Sequence, residues 1–396
     1  MFTYKKSEDG SYYILTGACQ TLPSKVVIPA EYDNLPVKEI GDKAFHNNKS
    51  IKAVDLPETI VKIGKYAFCL CTELKQVFFR DGVTLIGENA FAGCENLEEV
   101  YMPDTLKTIE TFAFADCKNL PEINVTKVDV IKNNAFSNCK SLERVVFGEK
   151  IDNIYGAAFC DCTSLREVEF NSAVHIYNSA FKNTAIEDIT IPDNSIIGAS
   201  VFENCKNLQS ITICKNVGIS NYGVNSMFVD IAFAVEEEPI FNGSENLKTL
   251  ILKERNPNAI KAVSDTVEEI VLDGVESIEK GDLKYCGKLK KLVITPSVKK
   301  IGAGALGFTH TRLTVDELIG NAGLERYHKV ICPYLNDVIF ENFKDWKAVI
   351  PNSKKAIKIK DKILKDRKKT LEFLMDKYMD YDWINESKFS DKMKKN

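Results

Sequence analysis

The stretch IGENAFAGCENLEEVYMPDTLKTI, residues 86–109, decides the fold because its pattern recurs along the chain. Aligning the chain on its Ala-Phe pairs gives phenylalanines spaced by 22 or 23 residues: Phe45, Phe68, Phe91, Phe114, Phe136, Phe159 and Phe181. The register continues at Phe202, Phe241, Leu283 and Leu306. Self-similarity at a fixed period of this length predicts a stack of structural repeats.

Five further positions repeat in step with the aromatic residue. An isoleucine lies five residues before it, at Ile40, Ile63, Ile86, Ile109, Ile131, Ile154, Ile176, Ile197, Ile278 and Ile301. A cysteine follows three residues after it, and a leucine and an alternating apolar pair follow beyond, as in Leu74, Val77 and Phe79. The alternation predicts a short β-strand with one buried face, and Ile-Gly-x-x-Ala-Phe predicts a tight turn before a short helical or irregular segment. One unit cannot bury its apolar side chains alone, so the units are predicted to stack and bury them between neighbours.

These units resemble the BspA-like leucine-rich repeats, on the evidence of residues 86–109 and of the lead-in VVIPAEYDNLPVKEIGDKAF at 26–45. The resemblance implies an α/β solenoid. Such a chain is a right-handed leucine-rich repeat superhelix with a parallel β-sheet on one face and short helical or irregular segments opposite. Because members of that family are often surface adhesins or interaction proteins, the resemblance also implies a binding role.

The pattern divides the chain into three parts. Residues 1–39 are predicted to form an N-terminal cap, and residues 40–314 an array of about twelve units, with an insertion near 216–239 that is either a binding loop or a decayed repeat. Residues 315–396 are predicted to form a C-terminal cap with a basic tail. Apolar positions at helical spacing predict an amphipathic helix over Ile357–Tyr381, which could cap the array, dock a partner or touch an anionic surface.

Composition limits the classes of function. The formal net charge of −4 argues against a nucleic-acid binder, which needs a basic face. No run of about 18 apolar residues predicts a transmembrane segment. The N-terminal MFTYKKSEDGSYYILTG lacks the apolar segment of a secretory signal, so the sequence as written predicts a cytoplasmic protein. A signal removed from an earlier start would instead predict a secreted or cell-surface protein.

Candidate chemistry is weak throughout the array. Cys69 and Cys71, like Cys160 and Cys162, have the spacing of metal ligands, but the pairs lie four repeats apart and cannot share one ion. The cysteine of the repeat is interpreted as a small buried residue in a reducing compartment. The four histidines and the glycines fit no catalytic, metal-binding or phosphate-binding motif. We therefore expect no catalytic residues, no cofactor and no metal.

The outward positions of the predicted strands give the candidate binding face. They form two rows, which include Phe78, Glu99, Tyr101, Glu122, Arg144, Glu167, Glu169 and Asp188. Adjacent aromatic residues commonly anchor interfaces, and carboxylates one strand apart repel each other. We therefore expect a protein or peptide partner, preferably basic, at this face. The alternatives are carbohydrate or host-surface recognition, or a catalytic or regulatory C-terminal module carried by the array.

Overall fold

A computed structural model describes residues 2–18, 22–220, 240–279, 281–283, 286–295, 297–298, 300–301 and 337–340. The chain is a β-solenoid of about 11 turns. Its contacts divide it into two compact units, Met1–Leu208 with Asn216–Asn246 and Gln209–Lys215 with Leu247–Asn396. The predicted helix over Ile357–Tyr381 lies outside the described residues. Among the residues described, no helix has the length and apolar character needed to cross a membrane.

Most coils contribute one longer and one shorter strand, numbered here along the chain. The longer strands are β3 (Lys25–Val27), β6 (Ala53–Asp55), β8 (Gln76–Phe78), β10 (Glu99–Tyr101), β12 (Glu122–Val125), β14 (Arg144–Phe147), β16 (Glu167–Phe170), β18 (Asp188–Ile191), β20 (Ser210–Ile213), β22 (Thr249–Leu252), β23 (Glu269–Leu272), β25 (Lys291–Ile294) and β27 (Asp337–Phe340). The shorter strands are β7 (Lys62–Ile63), β9 (Leu85–Ile86), β11 (Thr108–Ile109), β13 (Val130–Ile131), β15 (Asn153–Ile154), β17 (His175–Ile176), β19 (Ile196–Ile197), β21 (Gly218–Ile219), β24 (Ser277–Ile278) and β26 (Lys300–Ile301). The six-residue strand β5 (Leu35–Ile40) pairs with β7 and takes the same place in the first coil. The remaining elements are β1 (Phe2–Lys6), β2 (Tyr13–Ala18), β4 (Glu31–Tyr32) and α1 (Pro257–Ala262).

Two parallel β-surfaces run along the first unit. The shorter strands form a sheet in the order β1-β2-β5-β7-β9-β11-β13-β15-β17-β19-β21, in which β1 is antiparallel to β2. The longer strands form the sheets β10-β8-β6-β3 and β12-β14-β16, and we call the surface built by the longer strands of this unit the strand face. Strands β1 and β2 therefore extend this sheet beyond β5, at the N-terminal end of the coils.

Of the two predicted alternatives for the segment opposite the strands, helical or irregular, the described part of the array has the irregular one, and α1 is its one helix. Residues two before and two after the repeat phenylalanine adopt left-handed backbone conformations, as at Tyr66 (φ 56°) and Leu70 (φ 59°) around Phe68. A left-handed residue interrupts a right-handed helix. The amides of Phe68 and Leu70 instead donate to the carbonyls of Ala90 and Ala92 on the next coil, both at 2.7 Å.

The repeat phenylalanines form a continuous stack inside the first unit. Phe68, Phe91, Phe114 and Phe136 have 0% exposure, and successive ring centroids lie 5.1, 5.1 and 5.2 Å apart with nearly parallel planes. Offset-stacked rings at this separation contribute about 0.5–1.5 kcal/mol per pair beyond the burial of their area. The predicted internal ladder of phenylalanines is confirmed, and it sets the coil spacing for every other position.

The repeat cysteines form a second ladder that is held by hydrogen bonds. The thiols of Cys71, Cys94, Cys117, Cys139, Cys162 and Cys205 each donate to the carbonyl of the phenylalanine on the preceding coil, as Cys117 Sγ does to Phe91 O at 3.3 Å. Where serine replaces cysteine, Ser244 Oγ donates to Phe202 O at 2.6 Å. None of the ten described cysteines forms a disulfide, and burial raises the pKa of the Cys117 thiol well above its ordinary value. The cysteines are therefore packing residues that also satisfy a buried carbonyl.

The second unit is also built from parallel strands, with one short helix added. Strands β20, β22, β23, β25 and β27 pair in parallel. Between β22 and β23 the chain forms α1, which begins after Asn256, whose side chain accepts a hydrogen bond from the amide of Ala259 at 3.0 Å. Asp282, with 4% of its side chain exposed, binds Arg255 through two hydrogen bonds of 2.8 Å each.

Only the flanks of the predicted insertion near 216–239 are described. Gly218 and Ser220 donate their amides to the carbonyls of Ser195 and Ile197 at 2.9 Å each, so the coil continues regularly up to Ser220. Phe241 then rejoins the stack, with its ring centroid 5.7 Å from that of Phe202. Residues 221–239 lie outside the described part of the chain, so the choice between a binding loop and a decayed repeat stays a prediction.

Candidate functional site

The strand face is interrupted between β10 and β12, where the described residues form no strand ladder. The residue before each longer strand normally donates its amide to the coil before it: Lys75 to Lys52 O at 2.8 Å, Glu98 to Lys75 O at 2.8 Å, and Glu143 to Pro121 O at 2.9 Å. Pro121 occupies this position before β12 and has no amide proton to donate. The coil at which the sheet divides therefore lacks the hydrogen bond that this position supplies at those three coils.

The interruption opens a concavity of about 930 Å³ on the strand face. We call it the acidic groove; it is lined by Glu98, Glu99, Val100, Tyr101, Met102, Pro121, Glu122, Ile123, Asn124, Thr126, Arg144, Val146 and Glu169. On the neighbouring coil the inward side chains Val77 and Phe79 are only 0% and 5% exposed. Their equivalents Val100 and Met102 are half-buried because the groove reaches them. Apolar surface that the neighbouring coil buries is therefore accessible here.

Carboxylates dominate the rim of the acidic groove. Glu98 is paired with Lys75 at 2.8 Å, and Glu99 accepts a hydrogen bond from Gln76 Nε2 at 2.8 Å. Glu122 is exposed and forms no ion pair with any residue that the structure describes. The lining as a whole carries four glutamates against one arginine, Arg144. Among the described residues, the groove therefore presents a negative charge that is only partly neutralised.

Arg144 lies in register between Glu122 and Glu167 on adjacent strands. Its guanidinium is drawn to one side, with Nε 3.2 Å from Glu167 and another nitrogen 3.4 Å from Glu169. These exposed pairs are weak individually, but both direct Arg144 away from Glu122. The carboxylate of Glu122 is consequently left for a cation from outside the described residues.

Aromatic side chains form one end of the acidic groove. Phe78 and Tyr101 stack on adjacent strands with ring centroids 5.2 Å apart and planes 11° from parallel. Phe78 is half-buried, whereas 55% of Tyr101 is exposed. Tyr101 Oη donates to Glu99 Oε2 at 3.5 Å, a long contact. A large, rigid ring is thus held at the groove by its neighbour rather than by burial.

The predicted face residues fall into two groups. Glu99, Tyr101, Glu122, Arg144 and Glu169 line the acidic groove. Outside the lining, Phe78 supports Tyr101 from behind, Glu167 pairs with Arg144, and Asp188 begins β18. The two outward rows counted from the sequence have the strand register of the structure at β8–β10 and β12–β14–β16.

Sequence reasoning missed the floor of the groove and its cause. The half-buried Val100 and Met102 were assigned inward positions like every other coil. The signal that could have revealed them is Pro121, since proline is confined to sheet edges and interruptions. A second interruption follows β16, where Val168 and Phe170 are also half-buried. Among the described residues, no group of three or more His, Cys, Asp or Glu side chains could hold a metal ion.

Comparison with known proteins gives a family and a fold. Residues 38–165, 129–230 and 235–315 match the BspA type Leucine rich repeat region, in six copies. That family is defined by its repeat, and its description names no reaction. The comparison with curated proteins gave no match.

Three similar crystal structures are leucine-rich repeat proteins. The T. pallidum Leucine Rich Repeat protein is 28% identical with a TM-score of 0.44, over 52% of this chain and 87% of that chain. A leucine-rich repeat protein from Bacteroides ovatus is 22% identical with a TM-score of 0.45, over 86% and 98% of the two chains. A leucine rich cell surface protein from Faecalibacterium prausnitzii is 20% identical with a TM-score of 0.44, over 89% and 96%.

Proposed function

Because the chain belongs to the BspA type leucine rich repeat family, we propose that it is a binding scaffold that holds a basic segment of another protein in the acidic groove. The observation that carries this proposal is the groove itself. At the coil of Pro121, where the ladder is interrupted, half-buried apolar side chains are accessible beside the carboxylates of the groove. Solenoids commonly use such a strand-lined surface for binding.

Two features of the groove support a macromolecular partner. A central apolar region inside a polar rim is the usual anatomy of a protein interface. The half-buried Val100 and Met102 provide the apolar region, and the carboxylates of Glu99 and Glu122 provide the rim. A basic partner would relieve the repulsion among these carboxylates, so its charge complements this site.

The exposed ring of Tyr101 is also the specific observation that keeps carbohydrate recognition as a second candidate. An aromatic face can stack on a sugar ring as it does on a peptide side chain. The acidic rim favours the peptide, because a neutral glycan leaves the uncompensated charge of Glu122 without a partner. A screen for binding must therefore include both ligand classes.

The test is selection of random twelve-residue peptides displayed on phage against the full chain, with a glycan array in parallel. A groove variant carries Glu99→Lys and Glu122→Lys. A matched control carries Asp104→Lys and Glu149→Lys, which change the net charge equally at exposed positions outside the lining. We expect enriched peptides that bind the wild type and the control alike and bind the groove variant about 100-fold more weakly, since like charges face each other at two positions.

Three outcomes would overturn the peptide proposal. The first is that the wild type enriches no peptides. The second is that the peptides it enriches bind the groove variant as well as they bind the control. The third is glycan binding that the groove variant loses, without peptide binding, which would favour carbohydrate recognition instead. Circular dichroism of both variants checks that the array remains folded.

A further inference from the structure

Tyr101 is the exposed aromatic side chain of the acidic groove, although Phe78 covers one face of its ring. Phe78 lies on the preceding coil and covers one face of Tyr101 in a nearly parallel stack at 5.2 Å. The other face therefore looks along the array towards β12, over the acidic groove. There the outward neighbour is Asn124, whose carboxamide oxygen accepts from the amide and hydroxyl of Thr126 at 3.1 and 2.7 Å. Asn124 is thus held by its own strand, and more than half of Tyr101 remains exposed, at 55%.

Two carboxylates of the acidic groove lie in the other outward row of the same two strands. Glu99 lies two residues before Tyr101 on β10, and Glu122 lies two residues before Asn124 on β12. Glu99 accepts a neutral amide hydrogen bond from Gln76. Neither it nor Glu122 has a cationic partner among the described residues, because Arg144 is turned towards Glu167 and Glu169. The site is therefore an aromatic face beside two carboxylates that lack a counter-ion.

We propose that the acidic groove recognises an arginine side chain of the partner, stacked on Tyr101 and bound by Glu99 and Glu122. This inference rests on the proposed function and specifies the residue that the groove reads. A guanidinium is planar, so it stacks on a ring and presents several N–H donors in its plane. Its charge is attracted to the ring face and to the carboxylates at once. The aliphatic part of the side chain lies on the half-buried Val100.

Lysine fits the same place less well. Its ammonium is a compact, strongly hydrated charge that cannot stack or bind two carboxylates in one plane. The groove therefore distinguishes arginine from lysine by shape and not by charge. Citrulline, which keeps the planar group but is neutral, separates the two contributions.

The experiment uses peptides enriched by the wild-type chain, resynthesised with each arginine replaced in turn by lysine or by citrulline. At one position we expect about tenfold weaker binding for lysine and a larger loss for citrulline, measured by isothermal titration calorimetry. Tyr101→Phe keeps the ring face and should bind within about twofold, whereas Tyr101→Leu should abolish the preference for arginine over lysine. Because Tyr101 is largely exposed, both variants are expected to fold.

The results separate this inference from the function on which it rests. The arginine site is overturned if the groove-dependent peptides contain no arginine. It is also overturned if replacing arginine by lysine leaves binding unchanged at every position. Both results leave the binding groove in place. A preference for arginine that survives Tyr101→Leu also overturns it. Failure of the wild type to enrich any groove-dependent peptide overturns both. A lysine penalty that disappears in Tyr101→Leu and persists in Tyr101→Phe supports the site.

Discussion

Replacing Pro121 by alanine should join the two sheets that meet at the acidic groove. Residue 121 stands in the row of amides that donate to the preceding coil, between Glu98, which reaches Lys75 O at 2.8 Å, and Glu143, which reaches Pro121 O at 2.9 Å. Alanine supplies the missing proton, and the carbonyl of Glu98 lies one coil away to accept it. The strand face would then run from β10 into β12 as it does from β8 into β10.

The expected magnitude decides which assay is informative. One new backbone hydrogen bond contributes about 0.5–1.5 kcal/mol to the free energy of unfolding. Removing a proline from a compatible site costs about 0.4–1 kcal/mol by freeing the unfolded chain. The two effects nearly cancel, so we expect the midpoint of denaturation to change little. Local opening is different, because about 1 kcal/mol there slows amide exchange about fivefold.

Hydrogen–deuterium exchange over residues 98–103 and 121–126 is therefore the assay. We expect slower exchange in both segments of the Pro121→Ala chain, together with weaker binding of groove-dependent peptides. Pro57→Ala is the control, since Pro57 lies at a half-buried turn after β6 and its loss frees the unfolded chain without completing a ladder. Unchanged exchange around the groove in Pro121→Ala would refute proline as the cause of the interruption.

Three further predictions concern stability, each measured by urea denaturation of the full chain. Cys117→Ala should lower the free energy of unfolding by about 1–3 kcal/mol, because it leaves a cavity and an unsatisfied Phe91 carbonyl. Cys117→Ser should lower it by less, because the serine hydroxyl donates to that carbonyl instead. Equal losses for the two variants would contradict this reasoning. Asp282→Asn should cost about 2 kcal/mol by leaving Arg255 without its anionic partner, and a neutral effect would argue against the pair. Burial raises the pKa of Cys71 from 9.0 to about 12, so its contribution is complete below pH 9 and is lost as the pH rises towards 12. Cys71→Ser should weaken that alkaline loss, and an unchanged pH profile would refute it.

The interior of the array was predictable from sequence because it depends on stacking alone. A residue repeated every 22 or 23 positions must meet its own kind on the next coil, and the phenylalanine rings do so at about 5.1 Å. The outward rows were predictable for the same reason, since strand side chains alternate and the register follows the repeat. Glu122, Arg144 and Glu167 accordingly lie in register on β12, β14 and β16, as their positions in the repeat predict.

The segment opposite the strands was not predictable, because side-chain periodicity says little about backbone conformation over so few residues. Tyr66 and Phe112 adopt left-handed conformations that large side chains rarely choose. Tertiary context overrides that preference: the amides of Tyr66 and Phe112 donate to Glu88 O at 2.9 Å and to Asn133 O at 3.0 Å on the following coils. Hydrogen bonds between coils, and not within them, determine this part of the fold.

The binding surface depends on departures from the repeat, which a search for periodicity discards. A perfect array would present the same surface at every coil and so could not position one ligand. Pro121 stands at one break in the ladder, Tyr101 places a ring beside that break, and the guanidinium of Arg144 pairs with Glu167 and Glu169 on the other side. Each is an ordinary residue at a position where the other coils carry something else. The proposed site is therefore one where the regular scaffold provides rigidity and the irregular residues provide specificity.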